Sequence, residues 1–218
     1  MIKQPTIALT MGDPKGIGPE IICKALGSFL DKAGFIVFGH KPFFNLIPEF
    51  KSIQDKVKFV EVSLEDYLKG EAAKSLSDEA SGKLSLFAVQ AAIEDIKTGK
   101  ADALVTAPVS KHGIALTEPG FTGHTEYLCQ AFDVDKFAMM LFHSRLRVAL
   151  TTTHLPLSEV SNAVSIDKIT EKLELMAIGL KKLFGIEKPR IAVCGLNPHA
   201  GESGLFGDEE IKTISPAI

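Results

Sequence analysis

The sequence predicts an α/β protein whose strands lie mostly parallel, covered by helices. Three observations carry the prediction. Short apolar runs of strand length alternate with amphipathic runs of helix length from the start of the chain. Several of the apolar runs empty into loops rich in Gly, Pro, Asn and His, as strands do at the ligand-binding edge of an open sheet. Finally, 218 residues with 45% hydrophobic side chains are ample for a buried core.

Residues 6–11, Thr-Ile-Ala-Leu-Thr-Met, read as the first strand, followed by Gly12-Asp13-Pro14-Lys15-Gly16-Ile17-Gly18-Pro19-Glu20. Pro19 suits the first turn of a helix, and Ile21, Ile22, Ala25, Leu26 and Phe29 continue at helical spacing. Strand, glycine loop and helix form the layout of an anion-binding turn. The glycine spacing is GxxxGxG, neither the dinucleotide fingerprint nor the P-loop, so a structural turn and a ligand loop stay equally open. Residues 35–38, closed by Gly39 and a loop residue His40, read as the next strand, and 57–62 as another short one. Residues 77–82 supply caps for a long helix with Leu84, Phe87, Ala88, Ala91, Ala92 and Ile96 on one face, ended by Gly99. Residues 103–106 are a buried strand leading to Ala107-Pro108-Val109-Ser110-Lys111-His112-Gly113. There Lys111 stands where it could meet a substrate anion, although a solvated lysine is the commoner outcome.

Gly123-His124-Thr125-Glu126 opens a helix that runs through Tyr127, Leu128 and Ala131. The histidine, the threonine and the first helical N–H groups make a cradle for a hydroxyl or phosphate. The competing reading has Thr125 capping the helix and Glu126 complementing its dipole. Two apolar runs, 136–142 and 145–150, flank His143-Ser144 and suggest a hairpin or closely consecutive strands. The second run leads into Thr151-Thr152-Thr153-His154-Leu155-Pro156. Ser165 caps the clearest helix, whose stripe of Ile169, Leu173, Met176, Leu180 and Leu183 is core packing, ended by Gly185. Residues 190–193 read as a buried strand, then Cys194-Gly195-Leu196-Asn197-Pro198-His199-Ala200-Gly201-Glu202-Ser203-Gly204 forms a tight irregular loop, and Asp208-Glu209-Glu210 opens a short helix over 209–218. A fixed imidazole can bind a metal or move a proton, so His154 and His199, each past a strand tip, are candidates to share one site.

Lys and Arg total 24 against 27 Asp and Glu, a net charge of −3 that gives no general reason to bind nucleic acid or an anionic membrane. No apolar run approaches the about 20 residues needed to span a bilayer, and the first residues lack the apolar core of a signal peptide. Cys23, Cys129 and Cys194 are odd in number with no CxxC pair, which reads as small buried hydrophobes in a reducing, cytoplasmic setting.

Five stretches in chain order carry a resemblance: Met11-Gly12-Asp13-Pro14 with Gly16-Ile17-Gly18-Pro19-Glu20; Thr106-Ala107-Pro108-Val109-Ser110-Lys111; Gly123-His124-Thr125-Glu126; Thr152-Thr153-His154-Leu155-Pro156; and Gly195-Leu196-Asn197-Pro198-His199-Ala200-Gly201-Glu202. Together they resemble the 4-hydroxythreonine-4-phosphate dehydrogenases. The resemblance implies two α/β/α domains similar to those of isocitrate and isopropylmalate dehydrogenases, working as a homodimer with the site in the cleft and at the subunit interface. It places the first domain at residues 1–120, to be completed by a C-terminal segment, and the second, incomplete, at 121–218 with the metal and substrate site. It implies NAD, with NADP as the other candidate, and a divalent ion (zinc, magnesium or cobalt). The implied reaction oxidises 4-phosphooxy-L-threonine to a β-keto acid that loses carbon dioxide, in pyridoxal 5′-phosphate synthesis. His154 and His199 match two of three metal-binding histidines, and His124 and Thr125 match substrate-binding positions. The family does not hold NAD with a Rossmann loop, in keeping with the glycine spacing. Its third metal histidine belongs to a His-Asp-Gln-Gly motif absent from these 218 residues. The chain is therefore expected to lack the C-terminal part, to bind metal weakly and not to turn over by itself. The proton acceptor and the NAD contacts stay unassigned. Two rival readings are a dehydrogenase of 4-phospho-D-threonate or 4-phospho-D-erythronate, and a non-catalytic metal- or phosphate-binding fragment; related folds include phosphate acetyltransferases, which need no NAD.

Overall fold

The computed structural model describes residues 4–64 and 76–218. The chain divides into two compact units between Phe132 and Asp133. The expected division at 120 and 121 put the His124 helix in the second unit; the division found leaves it in the first.

In the first unit, β1 (Thr6–Thr10), β2 (Gly34–Gly39), β3 (Lys58–Glu61) and β4 (Ala103–Thr106) form one sheet in the order β3-β2-β1-β4. Every pairing is parallel, with Leu9 opposite Val37 on one side and Val105 on the other. A parallel sheet must be covered on both faces, which is why its central strand reads as a continuous apolar run. Ala8, Met11 and Thr10 at the centre are fully buried. Helix α1 (Gly18–Leu26) begins with Pro19 in its first turn and turns Ile22, Cys23 and Leu26 inward. Short helices α2 (Lys41–Phe44) and α3 (Phe50–Ile53) bring Phe44 and Phe50 against Phe59 of β3, with ring centroids 5.2 to 5.8 Å apart.

Helix α4 (Asp78–Lys97) packs across β1, β2 and β4. Ser77 caps it, its hydroxyl accepting from the Ala80 N–H at 3.1 Å, and Gly99 just beyond its end takes φ +71°. Leu84, Ala88, Val89 and Ala92 are its fully buried residues, whereas Phe87, expected on that face, is 41% exposed. Helices α5 (Lys111–Ala115) and α6 (His124–Ala131) complete the unit. Phe121, between them, forms with Leu86 and Ile114 a second small apolar cluster.

In the second unit, β5 (Met140–Phe142) and β6 (Arg147–Ala149) form the expected hairpin, closed by the His143 N–H donating to the Leu146 carbonyl at 2.7 Å. After a short α7 (Val160–Ala163), helix α8 (Ile166–Phe184) is capped by Ser165 and ended by Gly185 at φ +67°. Its stripe packs through Ile169 and Leu180, but Leu183 at its end is 81% exposed. Residues 190–194 form no strand, a correction to the sequence reading. Among the described residues β6 pairs only with β5, and nothing pairs with 190–194. A cleft of about 700 Å³, lined by Val148, Leu150, Leu173, Met176, Ile191 and Val193, occupies the ground between them. Cys194 is accordingly exposed rather than buried; Cys23 is buried and Cys129 half-buried. The helix expected over 209–218 is a π turn, Glu210–Ile214, followed by a 3-10 turn, Ser215–Ala217. Among the described residues no helix is long and apolar enough to cross a membrane.

Candidate substrate and metal site

The first loop, 11–18, is packed shut. Gly12 has φ +69°, and a Cβ there would lie 2.3 Å from the Pro108 carbonyl oxygen; one on Gly18 would lie 1.9 Å from that of Met11. The Asp13 N–H donates to the Pro108 carbonyl at 2.8 Å, and its carboxylate accepts from the Ser81 hydroxyl at 2.6 Å and the Lys15 N–H at 2.9 Å. These glycines let the loops after β1 and β4 touch.

That contact fixes the start of α5. Ser110 caps it, accepting from the Gly113 N–H at 3.1 Å, and α5 meets α4 where a Cβ on Gly82 would lie 2.1 Å from Gly113. Lys111 opens α5 and its side chain runs to Gly123, with Nζ 3.4 Å and Cε 3.5 Å from where a Cβ on that glycine would stand. The Glu126 Oε2 flanks the same point at 3.3 Å. Gly123 directly precedes α6, and no side chain caps that helix; Thr125 is half-buried in its first turn, so the capping role considered for it is not the one it has.

His124, first in α6, stacks edge-on against Phe121 with centroids 6.2 Å apart. Its Nε2 is buried and makes no hydrogen bond among the described residues. Burial, with a second contribution from the Lys111 charge, holds the imidazole below its ordinary pKa. The ring is therefore neutral at neutral pH and carries one nitrogen free to donate or accept.

In the second unit His154 and His199 both stand exposed in loops, at φ +56° and +52°. Left-handed backbone at a non-glycine residue costs about 1–3 kcal/mol and gathers at functional sites. Around His199 the strain is extended, since five successive residues, His199 to Ser203, have left-handed φ. Glu210 holds this loop in place. Its Oε1 accepts from the N–H groups of Leu196 and Asn197, both at 2.7 Å, and its Oε2 from the Asn197 amide at 2.9 Å. Those donors, the Asn197 N–H first, depress the carboxyl to about 2. Glu209 accepts from Asn197 at 2.7 Å and from the Ser161 hydroxyl. The sequence reading gave Glu209 and Glu210 only the opening of a helix; the available signal was an acidic pair close behind an Asn-Pro-His loop whose N–H groups need acceptors.

Two exposed imidazoles are suitable donors for a divalent ion, whereas a catalytic zinc usually takes three protein ligands. Among the described residues no group of three or more His, Cys, Asp or Glu is gathered for a metal. The donor set present thus fits such an ion only in part.

A parallel α/β sheet whose following loops carry a packed glycine turn, a lysine and a neutral buried imidazole belongs to the α/β enzymes of open-sheet type. More narrowly, the chain belongs to the family described as pyridoxal phosphate biosynthetic protein PdxA, whose model matches residues 32–218. It is 37% identical to a 4-hydroxythreonine-4-phosphate dehydrogenase of Sulfurihydrogenibium sp., over 97% of this chain and 69% of that one. It is 40% identical to the protein of that name from Burkholderia vietnamiensis, over 97% of this chain and 67% of that one. Among solved structures, the 4-hydroxythreonine-4-phosphate dehydrogenase of Klebsiella pneumoniae superposes with a TM-score of 0.82 at 31% identity, covering 98% of this chain and 70% of that one. A terephthalate 1,2-cis-dihydrodiol dehydrogenase of Burkholderia xenovorans superposes at 0.63 with 25% identity, covering 99% and 69%. The α/β fold expected from the sequence is therefore the fold found, that of a family of dehydrogenases related in fold to isocitrate and isopropylmalate dehydrogenases.

Proposed function

We propose that this chain serves an NAD-dependent, divalent-metal-dependent dehydrogenase acting on 4-phosphooxy-L-threonine in pyridoxal 5′-phosphate synthesis. The observation that carries the reading is membership of a family whose relatives bear that activity in their names, with His124, Thr125, His154 and His199 all standing in loops or at a helix start. The 3-hydroxyl loses its proton and the carbon beneath it a hydride, giving 2-amino-3-oxo-4-phosphooxybutanoate; the C–C bond to the carboxylate then breaks, releasing carbon dioxide, and the carbon that bore it takes up a proton to give 3-amino-2-oxopropyl phosphate. A divalent ion held by His154 and His199 would draw charge off the hydroxyl, and a nicotinamide would supply the hydride acceptor.

The chain's own residues bind and orient. His124 and Thr125 contact the substrate, the neutral ring through the buried Nε2. His154 and His199 would hold zinc, magnesium or cobalt, and the Glu210 bonds keep the His199 loop in its strained form without ligand. With no third donor gathered among the described residues, these 218 residues alone bind metal weakly and do not turn over. A cytoplasmic homodimer completes the reading, supported by the hairpin, where Leu141, Phe142 and Leu146 are 59%, 68% and 64% exposed.

The test is NADH formation by the protein as its gene encodes it, with each metal in turn. The reading predicts a faster rate on 4-phosphooxy-L-threonine than on 4-phospho-D-threonate or 4-phospho-D-erythronate. A preference for either of the latter would move the substrate, and failure to reduce NAD or NADP on all three would overturn the dehydrogenase.

A further inference from the structure

We propose that Lys111 binds an anionic oxygen of the substrate beside His124, as an additional substrate-binding residue of this site; the inference rests on the reading of His124 as a substrate contact. Lys111 is held by construction. The loop before it is bonded to the first loop through Asp13 and Pro108, Ser110 caps α5, and the approach of Gly82 to Gly113 seats α5 on α4. From that fixed origin the side chain passes over Gly123, with Cε and Nζ in ordinary van der Waals reach of where a Cβ on that glycine would stand.

The lysine thus ends at Gly123, the residue before His124, near enough for its charge to act on a ring whose buried Nε2 has no protein hydrogen bond among the described residues. A cation next to an imidazole brings no stability of its own, because like charges repel and the ring must stay neutral. The arrangement gains its purpose from a ligand that accepts from both: an anionic oxygen takes a charge-assisted bond from the ammonium and a second from the imidazole N–H. Glu126, on the other side of Gly123, offsets part of the ammonium charge, so the site selects an anion that also fits the imidazole rather than anions in general. The oxygen belongs either to the phosphate or to the carboxylate of the substrate.

Calorimetry with 4-phosphooxy-L-threonine and with 4-hydroxy-L-threonine, on the wild type, Lys111→Met, Lys111→Arg and His124→Ala, separates these outcomes. Lys111→Met is expected to weaken binding of the phosphorylated ligand about 10- to 100-fold, the range for a lost charge-assisted bond, with Lys111→Arg recovering much of it. If the phosphate is the anion, binding of the dephosphorylated ligand changes little in Lys111→Met; if the carboxylate is, both ligands weaken together. NMR titration of His124 checks the premise that the ammonium lies near the ring: its pKa rises in Lys111→Met and stays low in Lys111→Arg. Wild-type affinity in Lys111→Met, with loss in His124→Ala, overturns the role of Lys111 and leaves the reading of His124 standing. Wild-type protein that binds neither ligand overturns both. Should Lys111→Met not fold, Lys111→Gln takes its place in the calorimetry: weakened binding of the phosphorylated ligand supports the role, and wild-type affinity overturns it.

Discussion

Glu210 does at the scale of one residue what no periodicity predicts: one carboxylate takes the N–H groups of Leu196 and Asn197, just ahead of the left-handed turn. Because its folded pKa is about 2 and the unfolded value about 4.3, its contribution is fully present above the unfolded value. It is lost as pH falls from there through about 2. Amide exchange at Leu196 and Asn197 should therefore be slow at neutral pH and quicken first in that acid window. Glu210→Gln should show the fast exchange at neutral pH, and equal exchange in mutant and wild type would refute the role. The cysteines give a second residue-scale prediction. Burial, helped by Glu49, pushes the Cys23 thiol up to about 11, while Cys194 is exposed. A thiol reagent at about pH 8 should label Cys194 first and leave Cys23 unmodified in the folded chain.

Among the elements, the most informative contrast is between neighbours on α4. Leu84 is fully buried and Phe87 is 41% exposed. Leu84→Ala should cost about 2–5 kcal/mol in denaturant unfolding, and Phe87→Ala clearly less despite the larger side chain removed. Gly12→Ala would add both left-handed strain and a clash at 2.3 Å with Pro108, together costing about 2–5 kcal/mol. Helices α1, α4 and α8 were legible in the sequence because each rests on a local rule: Ser77 and Ser165 as caps, Gly99 and Gly185 as left-handed stops, Pro19 in a first turn. Residues 190–194 were not, since an apolar run becomes a strand only when a neighbour pairs with it, and pairing is a property of the partner. Leu183 likewise fits the helical stripe, but it stands exposed at the end of α8, where the ring contacts go to its neighbour Phe184.

For the whole molecule, the motifs name candidate residues, whereas the environments of those residues come from packing. His124, His154 and His199 were all singled out from sequence, yet the neutral ring of the first, the left-handed backbone of the other two and the lysine at Gly123 depend on contacts between distant segments. The chain spans about 70% of the length of relatives such as that of Sulfurihydrogenibium sp.. The central claim, that His154 and His199 are ligands of one divalent ion, is tested most directly by titrating zinc into the 218-residue chain and into His154→Ala and His199→Ala, following binding by calorimetry. The account predicts weak binding of one ion per chain, lost in either variant; binding that survives both substitutions, or none in the wild type, would contradict it.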